Sequence, residues 1–325
     1  MNLEQKSMRD VFIDAIYERM KGNDKIFFVS ADFGSPKLDR LRRDFSDRFL
    51  NVGIAEQNLL NVSTGLALEG FTVYAYAIAP FLTMRAYEQI RNNLSLMSHV
   101  RELNVNLIGV GAGLSYDVAG PTHHCLEDIS ILRNLPNMVL FSPSDWYLVQ
   151  EFADYSLQVK APKYLRFDGK PLRRIYGNGS GINSGINMKD GFTEIKKGSG
   201  ICIVSTGFMT HRALEAAARL ARQNLDVGVI DFYVLKPFNE ESFRKVLGNY
   251  ACVITIEEAF INKGGLDSIV ACAVNGMDTH IKRKHMGFGD SYVFDMGSRD
   301  ALHRLYGLDE DGIIKNILEC VKDLA

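Results

Sequence analysis

No run in the 325-residue chain approaches the roughly 18 uninterrupted apolar residues that a membrane-crossing helix requires, so no spanning segment is expected. The opening Met1-Asn2-Leu3-Glu4-Gln5-Lys6 lacks a secretory apolar core, and a cytoplasmic protein is expected. Charge of one sign is also missing: a net charge of −2 leaves no electrostatic footprint for nucleic acid. The five cysteines (Cys125, Cys202, Cys252, Cys272 and Cys320) are odd in number and scattered without CxxC spacing. That excludes a disulfide framework or a zinc knuckle and predicts core thiols. There is no GxSxG elbow, no Walker loop and no HExxH, and neither a solenoid-period repeat nor a heptad array. Gly109-Val110-Gly111-Ala112-Gly113 has GxGxG spacing with no evident helix after it, which is a poor dinucleotide loop. His123 and His124 are adjacent, rarely face one ion together, and have no third ligand nearby, so no metal site is expected in this chain.

What is present is an alternation of short apolar runs and helical stripes. With 46% hydrophobic and 23% charged residues, the composition is that of an ordinary globular protein. At roughly 150 residues per domain, the length suggests two. Met8 to Met20 carries a helix stripe of Val11, Phe12, Ala15, Ile16 and Met20. Strands are predicted at Lys25–Ser30, Thr72–Ile78, Val105–Val110, Met138–Phe141 and Lys163–Phe167, with Pro143-Ser144-Asp145 capping a helix to Val159. The pattern dissolves between Lys170 and Gly191, around Gly177-Asn178-Gly179-Ser180-Gly181. Strands then recur at Gly200–Ser205, Val227–Phe232 and Cys252–Glu257, and helices at Ala213–Gln223, after Gly264-Gly265-Leu266, and from Asp311 to Leu324. The fold class is therefore α/β: a parallel-sheet domain over residues 1–175, a linker over 176–190, and a smaller α/β domain over 191–325.

The stretch that organises the chain is Asn51-Val52-Gly53-Ile54-Ala55-Glu56-Gln57-Asn58. Phe49, Leu50 and Val52 read as an extended approach, and Leu59, Val62 and Leu66 as a helical stripe, so Glu56 sits in a first helical turn. One reading is that Glu56 only complements the helix dipole. The other is a functional carboxylate, favoured by its company. Pro80 opens a helix bearing Phe81, Met84 and Tyr87, which taken alone is a plain core stripe. The strand ending at Val110 runs into a glycine-spaced loop, Gly111 to His124, at the carboxyl edge where open α/β sheets keep ligands.

These segments resemble the transketolase family, including its deoxyxylulose-phosphate synthase branch. The resemblance is carried by Val52-Gly53-Ile54-Ala55-Glu56-Gln57-Asn58, Phe81 to Gln89, Gly120-Pro121-Thr122-His123, Leu135-Pro136-Asn137-Met138 and Pro143-Ser144-Asp145. Val234-Leu235-Lys236-Pro237 and Glu257-Glu258 through Gly264-Gly265-Leu266 continue it into the family's carboxyl-terminal domain. It implies thiamine diphosphate as cofactor, an electron sink whose own aminopyrimidine acts as base. By the same resemblance Glu56 would drive the imino tautomer, kept protonated or proton-sharing by apolar walls. Phe81, Met84 and Tyr87 would line the pyrimidine pocket, with Asp32 near the cofactor where two subunits meet. His123 would hydrogen-bond the donor hydroxyl or the developing oxyanion, and Arg9, Ser35 and Arg166 match positions that bind substrate phosphate. A surface arginine at a strand end is the alternative for Arg166.

Two departures qualify the resemblance. Val118-Ala119 stand where transketolases have an Asp before the GPTH run, and Gly111-Ala112 where relatives have a His or Arg; Asp117 is a possible substitute for the Asp. More consequentially, no Gly-Asp-Gly motif for Mg²⁺ and diphosphate occurs anywhere in the chain. The implied arrangement is a split enzyme transferring a two-carbon ketol or acyl unit between sugar-type substrates. A diphosphate-binding subunit of the family's amino-terminal type would supply the metal and phosphate contacts, in an α2β2 heterotetramer with a β–β contact. The beta subunit of a 2-oxo acid dehydrogenase and a non-catalytic scaffold are the rival readings.

Overall fold

The structure is a computed structural model and describes residues 4–177, 185–278 and 280–322. Its centre is the strand Thr72–Ile78, where the side chains alternate between two buried faces. Val73, Ala75 and Ala77 enter one core cluster and Tyr74 and Tyr76 the other, which is why the stretch reads as continuously apolar. Around it a seven-stranded sheet runs in the order Val234–Lys236, Val139–Phe141, Lys163–Phe167, Asn104–Val110, Thr72–Ile78, Ile26–Ser30, Phe49–Asn51. Every neighbouring pair is parallel except the first. Helix Met8–Met20, capped by Ser7, buries Met8, Phe12, Ile13, Ile16 and Met20 and packs along helix Trp146–Gln158, which Asp145 caps through the Leu148 amide.

A second sheet has the order Lys282–Phe288, Tyr250–Phe260, Gly200–Ser205, Gly228–Phe232, Phe192–Lys196, parallel but for the last strand. Strand Lys282–Phe288 and helices Pro36–Asp44 and Glu240–Leu247 are not anticipated by the sequence reading. The strand is a basic edge paired on one side only; of its side chains only Met286 and Phe288 are buried, so no apolar run marks it. Cys272 is exposed, against the expectation of core thiols that the other four satisfy. The central part of the expected linker, residues 178–184, lies outside the described residues.

The two halves are joined by more than a linker. Strand Val234–Lys236 belongs to the second half by sequence but pairs with Val139–Phe141 of the first sheet. Beside it, Asp231 is fully buried and accepts from Thr210 Oγ1 at 2.8 Å, and across the domain boundary from Ser144 Oγ at 2.6 Å and Tyr176 OH at 2.7 Å. Burial pushes this carboxyl up from an ordinary 3.8 to about 7, against the pull of the hydroxyl bonds. The folded chain therefore keeps a proton that the unfolded chain releases. The stability this group contributes is complete below the unfolded pKa and is lost as pH rises to about 7. Asp231→Asn is expected to gain stability relative to the parent chain across that window. Urea unfolding at about pH 5 and about pH 8 measures it, and an unchanged difference between the two would refute the assignment.

Candidate active site at the carboxyl edge of the first sheet

Strand Phe49–Asn51 ends in a turn that Asn51 organises. Its Oδ1 accepts from the amides of Asp32 (3.1 Å) and Gly53 (3.0 Å), and its Nδ2 donates to Asp32 Oδ1 at 2.8 Å. Asp32 has φ 56° and Gly53 φ 76°, so both strand ends turn through the left-handed region, where Asp and Gly are tolerated. Helix Glu56–Leu68 begins directly afterwards, and Ala55 offers no side-chain cap. Glu56 is its first residue and is only 3% exposed.

What covers Glu56 is the next helical segment. Residues Phe81–Arg85 and Ile90–Leu96 are wound as π-helix on either side of Tyr87–Gln89, a widened winding that is common at functional sites. It brings Arg85 Nη1 to 2.7 Å from Glu56 Oε2, and the Arg85 guanidinium lies 4.7 Å from the centre of the Phe81 ring. The Phe81 ring in turn meets His123 edge-on, with centroids 5.1 Å apart and planes at 72°. Glu56, Arg85, Phe81 and His123 thus form one line of contacts from residues far apart in sequence. The pocket walls are not purely apolar, as the sequence reading expected, because an arginine stands against the carboxylate. Glu56 Oε1 has no hydrogen-bond partner among the described residues.

The other expected residues divide. Met84 is 41% exposed on the same segment. The Tyr87 hydroxyl donates to Ile131 O at 3.0 Å and its partly buried ring packs against the core, which braces the helix. Arg9 and Ser35 do come together, both on Asp10 Oδ1, at 2.9 and 3.1 Å. A carboxylate therefore sits between the two groups expected to hold a phosphate. Arg166 is not the surface arginine of the alternative reading. It is 4% exposed, its Nε donates to Asp128 Oδ2 at 2.8 Å, and its Nη2 donates to the carbonyls of Cys125 and Glu258. These bonds hold the guanidinium against both domains, on Asp128 and Cys125 of the first and Glu258 of the second. His124 is buried, its Nε2 is 3.4 Å from Asp117 O, and burial lowers its pKa.

Asp117, the possible substitute for the family's loop aspartate, is turned to partners within the chain. It is 3% exposed and engaged by Lys170 Nζ and by the amides of Arg299 (2.6 Å) and Val118 (2.9 Å). Burial would raise its pKa, but those donors outweigh it and hold the carboxyl below its ordinary value. Sequence reasoning missed Arg85 and Asp10. Arg85 lies inside the Phe81–Gln89 motif four residues after Phe81, and Asp10 adjoins Arg9, so position alone could have flagged both.

The transketolase pyrimidine-binding domain family matches residues 4–173, and the transketolase C-terminal domain family matches residues 192–313. The chain belongs to the transketolase family. This transketolase-family chain is 31% identical over 308 residues to one of the subunits of the apulose-4-phosphate transketolase of Actinobacillus succinogenes, covering 94% of each. It is 30% identical to the 1-deoxy-D-xylulose-5-phosphate synthase of Aquifex aeolicus over 96% of this chain but 48% of that one, so it spans about half of such a single-chain relative. Among solved structures it is similar to a split-gene transketolase described as an inactive β4 tetramer, with TM-score 0.84, 30% identity and coverage of 96% and 97%. The split organisation of the Actinobacillus succinogenes relative and of that solved structure is the one the absent Gly-Asp-Gly motif implies.

Proposed function

We propose that this chain is the pyrimidine-binding subunit of a split, thiamine-diphosphate-dependent transketolase-like enzyme that moves a two-carbon ketol unit between sugar-type substrates. The observation that carries it is the line Glu56–Arg85–Phe81–His123: a buried carboxylate with one unpartnered oxygen beside an aromatic and guanidinium wall, ending at an imidazole. Thiamine diphosphate, when bound, would supply the electron sink for cleaving the bond next to a ketone. Glu56 would hold and exchange a proton at Oε1, the oxygen that Arg85 leaves open. Arg85 fixes the carboxyl's orientation, Phe81 and the exposed Met84 offer it an apolar flank, and Asp32 braces the turn into Glu56 through Asn51. His123 would hydrogen-bond the substrate hydroxyl or the charge developing beside it. Arg9 and Ser35, tethered to Asp10, would face the substrate's far end.

The remaining contacts are assigned to a partner chain in an α2β2 assembly. The lack of a Gly-Asp-Gly motif in this chain is the reason for giving Mg²⁺ and the diphosphate to that partner. Exposed Ile54 and Val118, at 75% and 72%, stand on the turn into Glu56 and on the His123 loop, as a surface awaiting a partner would. The test is purification of the chain with and without a diphosphate-binding partner chain encoded beside it. Thiamine diphosphate, Mg²⁺ and a panel of sugar phosphates, nucleotide-linked keto sugars and 2-oxo acids are then supplied. Ketol transfer is expected only with both chains present. Full turnover by this chain alone would contradict the split site, and carbon dioxide release from a 2-oxo acid without ketol transfer would point to the dehydrogenase-type alternative.

A further inference from the structure

Asp117 is the one carboxylate in the glycine-spaced loop that carries His123, and it faces away from the site. The base of that loop is closed by reciprocal bonds between Gly113 and Cys125, at 3.1 and 2.9 Å. Gly113 lies so close to Glu258 of the second domain that a methyl group there would strike its carboxylate. Farther along, Asp117 Oδ2 receives Lys170 Nζ from the turn after strand Lys163–Phe167 and the amide of Arg299 from the second domain. Its Oδ1 receives the Val118 amide, and its carbonyl lies 3.4 Å from His124 Nε2. His123 follows across the Gly120 turn, its amide bonded to Gly120 O at 2.9 Å.

The anchor on the far side is itself immobile. The Arg299 guanidinium is 2.6 Å from Asp168 Oδ2 and 2.7 Å from Glu258 Oε1, its second fork nitrogen reaches Glu258 Oε2, and the Phe208 ring lies 3.7 Å away. His303 Nε2 adds a 2.6 Å contact to the same glutamate. A shift of the Arg299 amide would therefore disturb two buried carboxylates at once.

We infer that Asp117 is a positioning residue, clamping the His123 loop to the second domain so that this domain sets where His123 meets Phe81. The catalytic consequence rests on the proposed function; the clamp itself does not. A misplacement of about 1 Å at a substrate-binding group can cost roughly a hundredfold in rate. Asp117→Asn removes the charge at constant size. Lys170→Met releases one clamp arm through a side chain that is 44% exposed, while the buried Asp117 carboxylate keeps the amides of Arg299 and Val118.

Hydrogen–deuterium exchange is measured on the full chain, and donor KM and kcat on the chain with its partner, thiamine diphosphate and Mg²⁺. In both variants the amides of residues 118–124 are expected to exchange about tenfold faster, with strand Asn104–Val110 unchanged. Donor KM is expected to rise about tenfold, and Lys170→Arg to restore both readings. Unchanged loop exchange overturns the inference. So does faster exchange throughout the chain with an unaltered KM, which is the signature of general loosening. A complex that turns over no donor defeats the proposed function instead, and the exchange data on the free chain still decide the clamp.

Discussion

Glu56→Gln is expected to lower kcat of the assembled enzyme by roughly 10²- to 10⁴-fold, the range that a positioned proton donor or acceptor supplies. Glutamine keeps the size and the acceptor oxygen that Arg85 Nη1 reaches at 2.7 Å, so the local packing survives. What it loses is a proton that can be shared at the second oxygen. Arg85 is 47% exposed at its side chain and can turn to water once the carboxylate charge is gone, so little stability is expected to follow the charge. Steady-state kinetics with saturating donor, paired with a thermal melt of the same preparation, separates the two effects. A kcat within a factor of about two of the parent would remove Glu56 from the chemistry and, with it, the central claim about the site.

Arg299→Met is expected to cost about 3–5 kcal/mol of folding stability, the usual result of deleting one partner from a buried ionic group. Arg299, Asp168 and Glu258 are each no more than 4% exposed, and the arginine is the cation common to both acids. Burial alone would push Glu258 up, but the Arg299 guanidinium and His303 ring outweigh it and hold the carboxyl well below the ordinary carboxylate range. With Arg299 gone, His303 remains beside Glu258, and among the described residues Asp168 keeps only the Lys170 amide. Denaturant unfolding measures the loss. Adding Asp168→Asn and Glu258→Gln to Arg299→Met should recover part of it, because the orphaned charges are what destabilise. A loss below about 1 kcal/mol would show that the cluster is hydrated rather than sealed.

The strand and helix pattern was largely legible because each element announces itself within a short window. Thr72–Ile78 fills both cores by alternation, and the predicted strand matches the observed one residue for residue. The Glu56 turn was legible for the same reason, since Gly53 and the helix Glu56–Leu68 with its stripe follow one another within a short window. Edge and amphipathic elements such as Lys282–Phe288 and Glu240–Leu247 were not, because half of each is solvated and its apolar signal is diluted. Tyr87 and Arg166 lie in their motifs, but the neighbours their side chains bond, Ile131 and Asp128, are ones that no local pattern names.

Sequence by itself determined the α/β class, the succession of two domains, the carboxylate at a helix start and the lack of a Gly-Asp-Gly motif. These follow from periodicity, turn chemistry and residue identity, which act over a few neighbouring positions. Only the tertiary structure decided which charges meet. Arg85 finds Glu56 across 29 residues, Arg166 finds Asp128 across 38, and Asp117 takes the amide of Arg299 across 182. Electrostatic and hydrogen-bond pairing depends on distance in space, and folding sets that distance independently of separation along the chain.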